Sequence, residues 1–297
     1  MILPTLRQLQ FFDSLVRNES FSRAAEECCV SQSTLSAGIK ELEGVVDRAL
    51  VDRTSRQFRL TPLGEQMARR AEEILGLAQD MVRAAEARPP LTGDLRMGLI
   101  PTIGPFLLPH LMPKLDQHYP DLRLFLREEL TDQLVDGLKA GRIDIAVLAM
   151  PVETTGLDTL IFGEDPFLFA CAPDHPMARK SVISSDILVD QNLLLLEDGH
   201  CLRDHALDAC SLQQRDAADA FGATSLFTLA QMVRSGLGTT LLPKMAVDQG
   251  LAEAVGLVTI PVRNAAGGEP SRDLGLAWRR GSGREAEARA LAELLAA

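Results

Sequence analysis

Apolar side chains recur at three- and four-residue intervals over 5–17, at Leu6, Leu9, Phe12 (or Phe11), Leu15 and Val16, which predicts a helix. Ser20 or Ser22 is placed to cap a second helix through Ala24-Ala25-Glu26-Glu27. After a break at Cys29-Val30, Ser31 caps a third helix running to about Glu43, with Leu35, Ile39 and Leu42 on one stripe. Gln32, Ser33, Thr34, Ser36 and Lys40 occupy its start and its other faces. Two short helices on a tight turn, the second opening with small polar side chains, have the layout of a helix-turn-helix. An ordinary helical bundle with a polar outer face shares that periodicity. What favours the helix-turn-helix is 53–61, where Arg53, Arg56 and Arg59 fall on a predicted β-hairpin wing. In such a unit Gln32, Ser33, Thr34 and Ser36 approach base edges in the major groove, while Lys40, Arg53 and Arg56 hold phosphate.

Thr61-Pro62 is a helix start, with Thr as cap and Pro at the first helical position. Leu63, Met67, Ala71, Ile74, Ala78, Met81 and Ala85 keep the helical period going toward Arg88. Such a rod is about 40 Å long, which suits packing against a second chain better than serving as a solvated spacer. Pro89-Pro90-Leu-Thr-Gly93 ends it. Beyond that point apolar runs at 95–100, 122–126, 143–149, 167–171, 193–196 and 274–278 alternate with helical stretches at 106–118, 132–140, 226–235 and 284–295. The alternation predicts α/β units with largely parallel sheets. The expected organisation is a winged helix-turn-helix over 1–60, a linker helix over 61–90 and an α/β effector domain over 91–297. The last is long enough for two subdomains flanking a cleft, one of about 93–163 plus 270–297 and the other of about 164–269.

Composition changes this picture little: of 297 residues, 46% are hydrophobic and 24% charged, and no apolar run reaches the 18 residues of a membrane span. The N-terminus lacks the basic-then-apolar layout of a secretory signal, so a cytoplasmic location with no membrane partner is expected. The net charge of −11 counts against nucleic acid, but its distribution does not. Residues 1–90 carry 12 basic against 13 acidic residues and the remainder 18 against 28, so any DNA contact rests on a local basic patch.

The chemistry concentrates in Gly199-His200-Cys201-Leu202-Arg203-Asp204, followed by Cys210. A thiol beside a histidine and an arginine, with a second thiol nine positions on, reads in a reducing compartment as a redox sensor. A surface ion pair with Asp204 or Asp208 is the competing role for Arg203. Cys28, Cys29 and Cys171 read as small buried hydrophobes. The spacing of Cys and His gives neither a metal site nor a cofactor site. If the segment between the two thiols is helical, they lie about 13 Å apart along the axis and on opposite faces. A disulfide needs Cα atoms within about 7 Å, so oxidation would have to unwind that helix.

Phe21-Ser-Arg-Ala-Ala-Glu26, Val30-Ser-Gln-Ser-Thr-Leu-Ser36, Arg53-Thr-Ser-Arg56 and Leu60-Thr-Pro-Leu-Gly64 resemble the DNA-binding domain of LysR-type transcriptional regulators. Pro101-Thr-Ile-Gly-Pro105, Leu107-Leu-Pro-His-Leu111, the block 195–204, Ala223-Thr-Ser-Leu226 and Thr240-Leu-Leu-Pro243 look like landmarks of the family's OxyR branch. The resemblance covers nearly the whole chain. It implies an effector domain like the type 2 periplasmic binding proteins, and a regulator of oxidative-stress genes rather than an enzyme. It further implies Cys201 as the thiol that meets hydrogen peroxide and Cys210 as the one that resolves it. The pocket it implies holds Thr102, Thr131, His200 and Arg279, with Arg280 as the alternative to Arg279. Helix capping is the competing role for both threonines. The partners implied are double-stranded promoter DNA, RNA polymerase and further copies of the chain, as homodimer or homotetramer. Gly222 and Phe227 depart from the branch's usual Arg and Glu. Two other functions fit the same residues: a LysR-type regulator of an organic metabolite, and a thiol peroxidase.

Overall fold

The computed structural model describes residues 2–52, 57–85, 89–210, 222–264 and 266–296. The chain forms two compact units, the first built on residues 1–87 and the second on most of 88–297. In the first, three helices follow in quick succession: α1 (Leu6–Asn18), α2 (Phe21–Glu27) and α3 (Gln32–Val46). Thr5 and Gln8 form a reciprocal capping box on α1, and the hydroxyls of Ser20 and Ser31 cap α2 and α3. These caps take up amide N–H groups that a helix start otherwise leaves unpaired. Phe12, Leu15, Leu35, Ile39 and Leu42 make a fully buried core, each contributing about 2 kcal/mol of apolar burial. Helix α3 runs three residues past the expected Glu43 and ends at Asp47 in the left-handed conformation.

After α3 the chain turns back in an antiparallel bridge between Val51 and Leu60, with Asp52 N–H donating to the Arg59 carbonyl at 2.9 Å. Arg53 and Arg56, expected on this wing, lie outside the described residues. Helix α4 (Pro62–Ala85) follows, its Gly64 N–H held by the Thr61 hydroxyl at 3.0 Å. A Cβ at Gly64 would lie 2.1 Å from the Leu50 carbonyl oxygen, so only glycine allows this approach. Ile74, Leu77, Met81 and Val82 remain exposed along α4, the apolar stripe of a helix that has not buried all of its face.

The second unit alternates strands and helices: β1 (Gly93–Leu99), α5 (Gly104–His118), β2 (Leu122–Glu128), α6 (Thr131–Ala140), β3 (Ile145–Met150), β4 (Leu157–Cys171) and β5 (Ile183–Ser184). Then come α7 (Cys201–Ala209), α8 (Leu226–Arg234), β6 (Thr240–Pro243), α9 (Lys244–Asp248), α10 (Leu251–Val255), β7 (Val258–Arg263), β8 (Ser271–Arg279) and α11 (Glu285–Ala296). The strand path is β2-β1-β3-β8-β4-β7-β5, with β6 paired to β4. The sheet is mixed, which corrects the expectation of largely parallel pairing. β1 pairs β2 and β3 in parallel, whereas β8 and β4 run antiparallel to each other and to β3, β6 and β7. The run at 193–196 makes only isolated bridges, Leu193 to Thr239 and Leu196 to Ala223.

The long strand β4 runs between two hydrophobic cores, and its partner β8 contributes to the first of them. One core gathers Leu95, Met97, Leu134, Ile145, Leu276 and Leu291. The other gathers Phe167, Phe169, Leu188, Leu194, Leu229 and Ile260. The two lobes are joined by β4, whose Leu157 enters the first core and whose Phe167 and Phe169 enter the second. No helix among the described residues is long and apolar enough to cross a membrane.

Candidate thiol site and DNA-facing helix

Helix α7 begins at Cys201, directly after His200 at the cap and Gly199 at φ 94. Glycine adopts that backbone angle at little cost, and here it turns the chain into the helix. The thiol therefore sits at a helix N-terminus, where the dipole favours an anion. Segments 100–102, 130–131 and 199–201 line a small cleft around it, about 160 Å³ including the open mouth. Thr102, Thr131, His200 and Cys201 are thus brought together from three separate parts of the chain. Neither threonine is a helix cap: α5 is preceded by Ile103, and Thr131 already lies within α6. The Thr102 hydroxyl instead accepts from Arg272 Nη1 at 2.9 Å. The Thr131 hydroxyl stands beside the Cys201 sulfur at a geometry short of a full hydrogen bond, with no other partner among the described residues.

The cation of the site is Arg272, not Arg279. Its guanidinium is fully buried, donating through Nε and Nη2 to Asp165 at 3.1 and 2.9 Å and through Nη2 to the Thr102 carbonyl at 2.9 Å. Asp165 and Arg272 face each other across the β4–β8 ladder, and the second Asp165 oxygen accepts from Met245 N–H at 2.8 Å. Every strong partner is in place, which offsets the cost of burying two charges. Arg279 lies seven residues farther along β8, opposite Leu157. At about 3.3 Å per residue that is over 20 Å away, and an odd offset turns it to the other face. Arg280, the alternative, pairs with Asp158 at 3.0 Å on the surface.

Burial pushes the Cys201 thiol up from its ordinary value, against the opposing pull of Thr131 and Arg272, with nearby Asp204 adding to the rise. The cationic help expected from His200 and Arg203 is not what this site supplies. Burial lowers His200, favouring its neutral form despite Glu197, and Arg203 turns to Asp198 at 3.4 Å. Cys210 caps the far end of α7, 3% exposed in an apolar core, its thiol pushed up to about 12 by burial. The residues missed by sequence reasoning are Arg272 and Asp165. The only trace of them was a charge two residues before each of the apolar runs at 167–171 and 274–278, where burial calls for a partner.

In the first unit Gln32, Ser33, Thr34 and Lys40 are exposed at and along α3, and Ser36 is half-buried. The Gln32 amide oxygen accepts from Ser22, and the Ser33 and Thr34 hydroxyls lie 2.8 Å from that of Ser31. This polar row is the surface that a helix-turn-helix offers to a groove.

Residues 6–65 match the family model described as "Bacterial regulatory helix-turn-helix protein, lysR family", and residues 89–297 that described as "LysR substrate binding domain". The chain belongs to the LysR-type transcriptional regulators, DNA-binding proteins with a mixed-sheet α/β regulatory domain. Among characterised relatives it is 40% identical to the HTH-type transcriptional regulator EstR of Acinetobacter baylyi, covering 99% of this chain and 96% of EstR. It is 38% identical to the transcriptional dual regulator OxyR of Escherichia coli K12, over 98% of this chain and 95% of OxyR. Counterparts in other E. coli strains bear the name hydrogen peroxide-inducible genes activator. The fold superposes on a full-length cysteine-to-aspartate variant of OxyR from Pseudomonas aeruginosa with a TM-score of 0.81. That pair is 35% identical, with 99% of this chain and 98% of the other covered.

Proposed function

We propose that the protein senses hydrogen peroxide through Cys201 and converts its oxidation into a change in DNA binding. The observation that carries this reading is the cleft itself. A thiol at a helix N-terminus is surrounded by two threonine hydroxyls, a neutral histidine and a buried arginine, in a space of about 160 Å³. The three short segments close tightly around the thiol and line it with polar groups, which favours a molecule of a few atoms over a metabolite. Small, neutral and polar at both ends, hydrogen peroxide suits the hydroxyls of Thr102 and Thr131.

In the proposed reaction the Cys201 sulfur attacks one peroxide oxygen, the O–O bond breaks, and the leaving hydroxide takes up a proton as water. Cys201 becomes a sulfenic acid. The Cys210 thiol then displaces water from that sulfur to form the disulfide. Nine helical residues keep the thiols about 13 Å apart, so closing the bond requires α7 to unwind. We assign residues 1–60 to DNA reading, 61–90 to pairing of chains and 91–297 to sensing. Gln32, Ser33, Thr34 and Ser36 would face bases, with Lys40, Arg53 and Arg56 on phosphate. Regulation of oxidative-stress promoters through RNA polymerase, by a dimer or tetramer, completes the reading.

The test is a peroxide titration with thiol-resolved mass spectrometry, run beside DNA footprinting of the wild type and Cys201→Ser. The expected result is a 201–210 linkage and an altered footprint in the wild type, both lost in the variant. A footprint indifferent to peroxide, together with thermal stabilisation by an organic effector, would overturn the reading.

A further inference from the structure

The two hydroxyls that would bind peroxide are closed to solvent: Thr102 is 3% exposed, and Thr131 Oγ1 is buried. A solute therefore reaches the Cys201 sulfur beside Thr131 only after part of the cleft wall moves aside. The walls differ in what can move. Ile100 is 2% exposed, and its carbonyl accepts from the Ile103 and Gly104 N–H groups, each at 2.9 Å. Next to it, the closed ring of Pro101 leaves no rotor to swing. Leu130, on the facing segment, is a half-buried side chain with free staggered rotamers.

The backbone of Leu130 is pinned at the start of α6. Its N–H donates to Gln133 Oε1 at 3.3 Å, and its carbonyl accepts from Leu134 N–H at 3.0 Å. Only the side chain is free to turn, and its tip lies over Gly199. A Cβ on that glycine would meet Leu130 Cδ1 at 3.4 Å, ordinary van der Waals contact, so the leucine fills the side-chain side of the glycine. Gly199 is exposed and leads directly into His200 and Cys201. The leucine tip therefore bridges from its own segment to the thiol's segment at the rim of the cleft. A bare glycine gives it nothing to interlock with, so swinging away costs little.

We propose that Leu130 is the gate of this cleft and sets the largest hydroperoxide that reaches Cys201. The inference rests on the peroxide reading above and deepens it. With the leucine turned aside, the opening over Gly199 passes hydrogen peroxide and turns back a hydroperoxide that carries a branched alkyl group. The chemistry is the same for both. The sulfur attacks the terminal, hydrogen-bearing oxygen; the S–O bond forms as O–O breaks; the thiol proton leaves with the other oxygen as water or as an alcohol. Cys201 is oxidised to the sulfenic acid and the hydroperoxide is reduced. Leu130 takes no part in these bonds and acts on access alone, so its signature is the ratio of two rates rather than either rate.

The test uses the full chain with Cys210→Ser, which halts the reaction at the sulfenic acid, alone and combined with Leu130→Ala or Leu130→Met. Rates of Cys201 oxidation by hydrogen peroxide and by tert-butyl hydroperoxide are read on the Cys201 peptide after trapping with dimedone. A parallel arm follows alkylation by iodoacetamide and by the bulkier N-phenylmaleimide. Leu130→Ala should raise the rate with tert-butyl hydroperoxide relative to hydrogen peroxide by at least about tenfold, the discrimination that a few carbon atoms carry. Leu130→Met keeps the volume and should leave the ratio near that of leucine. An unchanged ratio in the alanine variant overturns the proposal, including where both rates rise or fall together. So does a methionine variant that shifts the ratio as far as alanine, which marks disturbed packing rather than size. If the alanine variant does not melt cooperatively, Leu130→Val replaces it, with a shift in the same direction required. No reaction with either hydroperoxide, together with an alkylation ratio that alanine moves toward the bulkier reagent, upholds the gate and refutes the peroxide reading; an unmoved alkylation ratio there overturns both.

Discussion

Cys201 opens α7 and Cys210 closes it, and the two ends of this one short helix meet opposite surroundings. The first thiol is partly buried against the lobe containing β1 and β3, in reach of Thr131 and Arg272. The second is embedded among the aliphatic side chains of the other lobe, with burial alone acting on it. Polar neighbours give a thiolate at the N-terminal end something to bind, whereas an anion at the C-terminal end would face hydrocarbon and the negative end of the helix dipole. Under the proposed reaction, the contrast favours an order of events in which Cys201 reacts first and Cys210 acts only after leaving its core. Under the proposed reaction a single helix would couple two lobes, since drawing Cys210 to Cys201 would remove a residue from one core and carry it toward the other.

The comparison is broken most severely by removing what polarises the first end. Arg272→Met leaves Asp165 charged and buried, and should cost about 3–5 kcal/mol in urea unfolding. Combining it with Asp165→Asn should restore part of that loss; equal stability of Arg272→Met and wild type would show that the pair does not anchor β4 to β8. Next in size, alkylation at pH 7.5 should label Cys201 at least about a hundredfold faster than Cys210, because the thiolate is the nucleophile. Comparable labelling would abolish the distinction between the two ends.

The smallest effect is on stability in alkali. The Cys210 thiol moves from 9.0 to about 12 on folding. Below pH 9 it is protonated in both states and its contribution is complete. As the pH rises toward 12 the unfolded chain ionises first, so stability should fall by about 1 kcal/mol per pH unit. Cys210→Ala should remove that slope in denaturant titrations between pH 9 and 11.

The first unit was almost wholly legible from the chain. Thr61 acts as the cap its position before Pro62 predicts, and Ser20 and Ser31 cap α2 and α3. Such signals act over three or four residues, so reading them needs no knowledge of distant contacts. The sheet of the second unit was legible only in part. The apolar run at 167–171 is the end of a fifteen-residue strand, and the rest of β4 alternates buried and exposed positions without standing out. The choice of arginine failed for the same reason. Arg272 and Arg279 sit on one strand, and only the pairing of Arg272 with Asp165, 107 residues earlier, decides which one meets Thr102.

Taken by itself, the sequence determined the helix-turn-helix with its capped starts, the existence of an α/β regulatory domain and the two thiols nine residues apart. Periodicity and caps are local, and the free energies behind them are set within one turn of helix. The tertiary structure alone decided that the sheet is mixed and that Arg272 is the buried cation. It alone set Cys201 and Cys210 in different cores. Those outcomes depend on strand register and on burying charge only where a partner is already in place, and both are properties of the assembled fold.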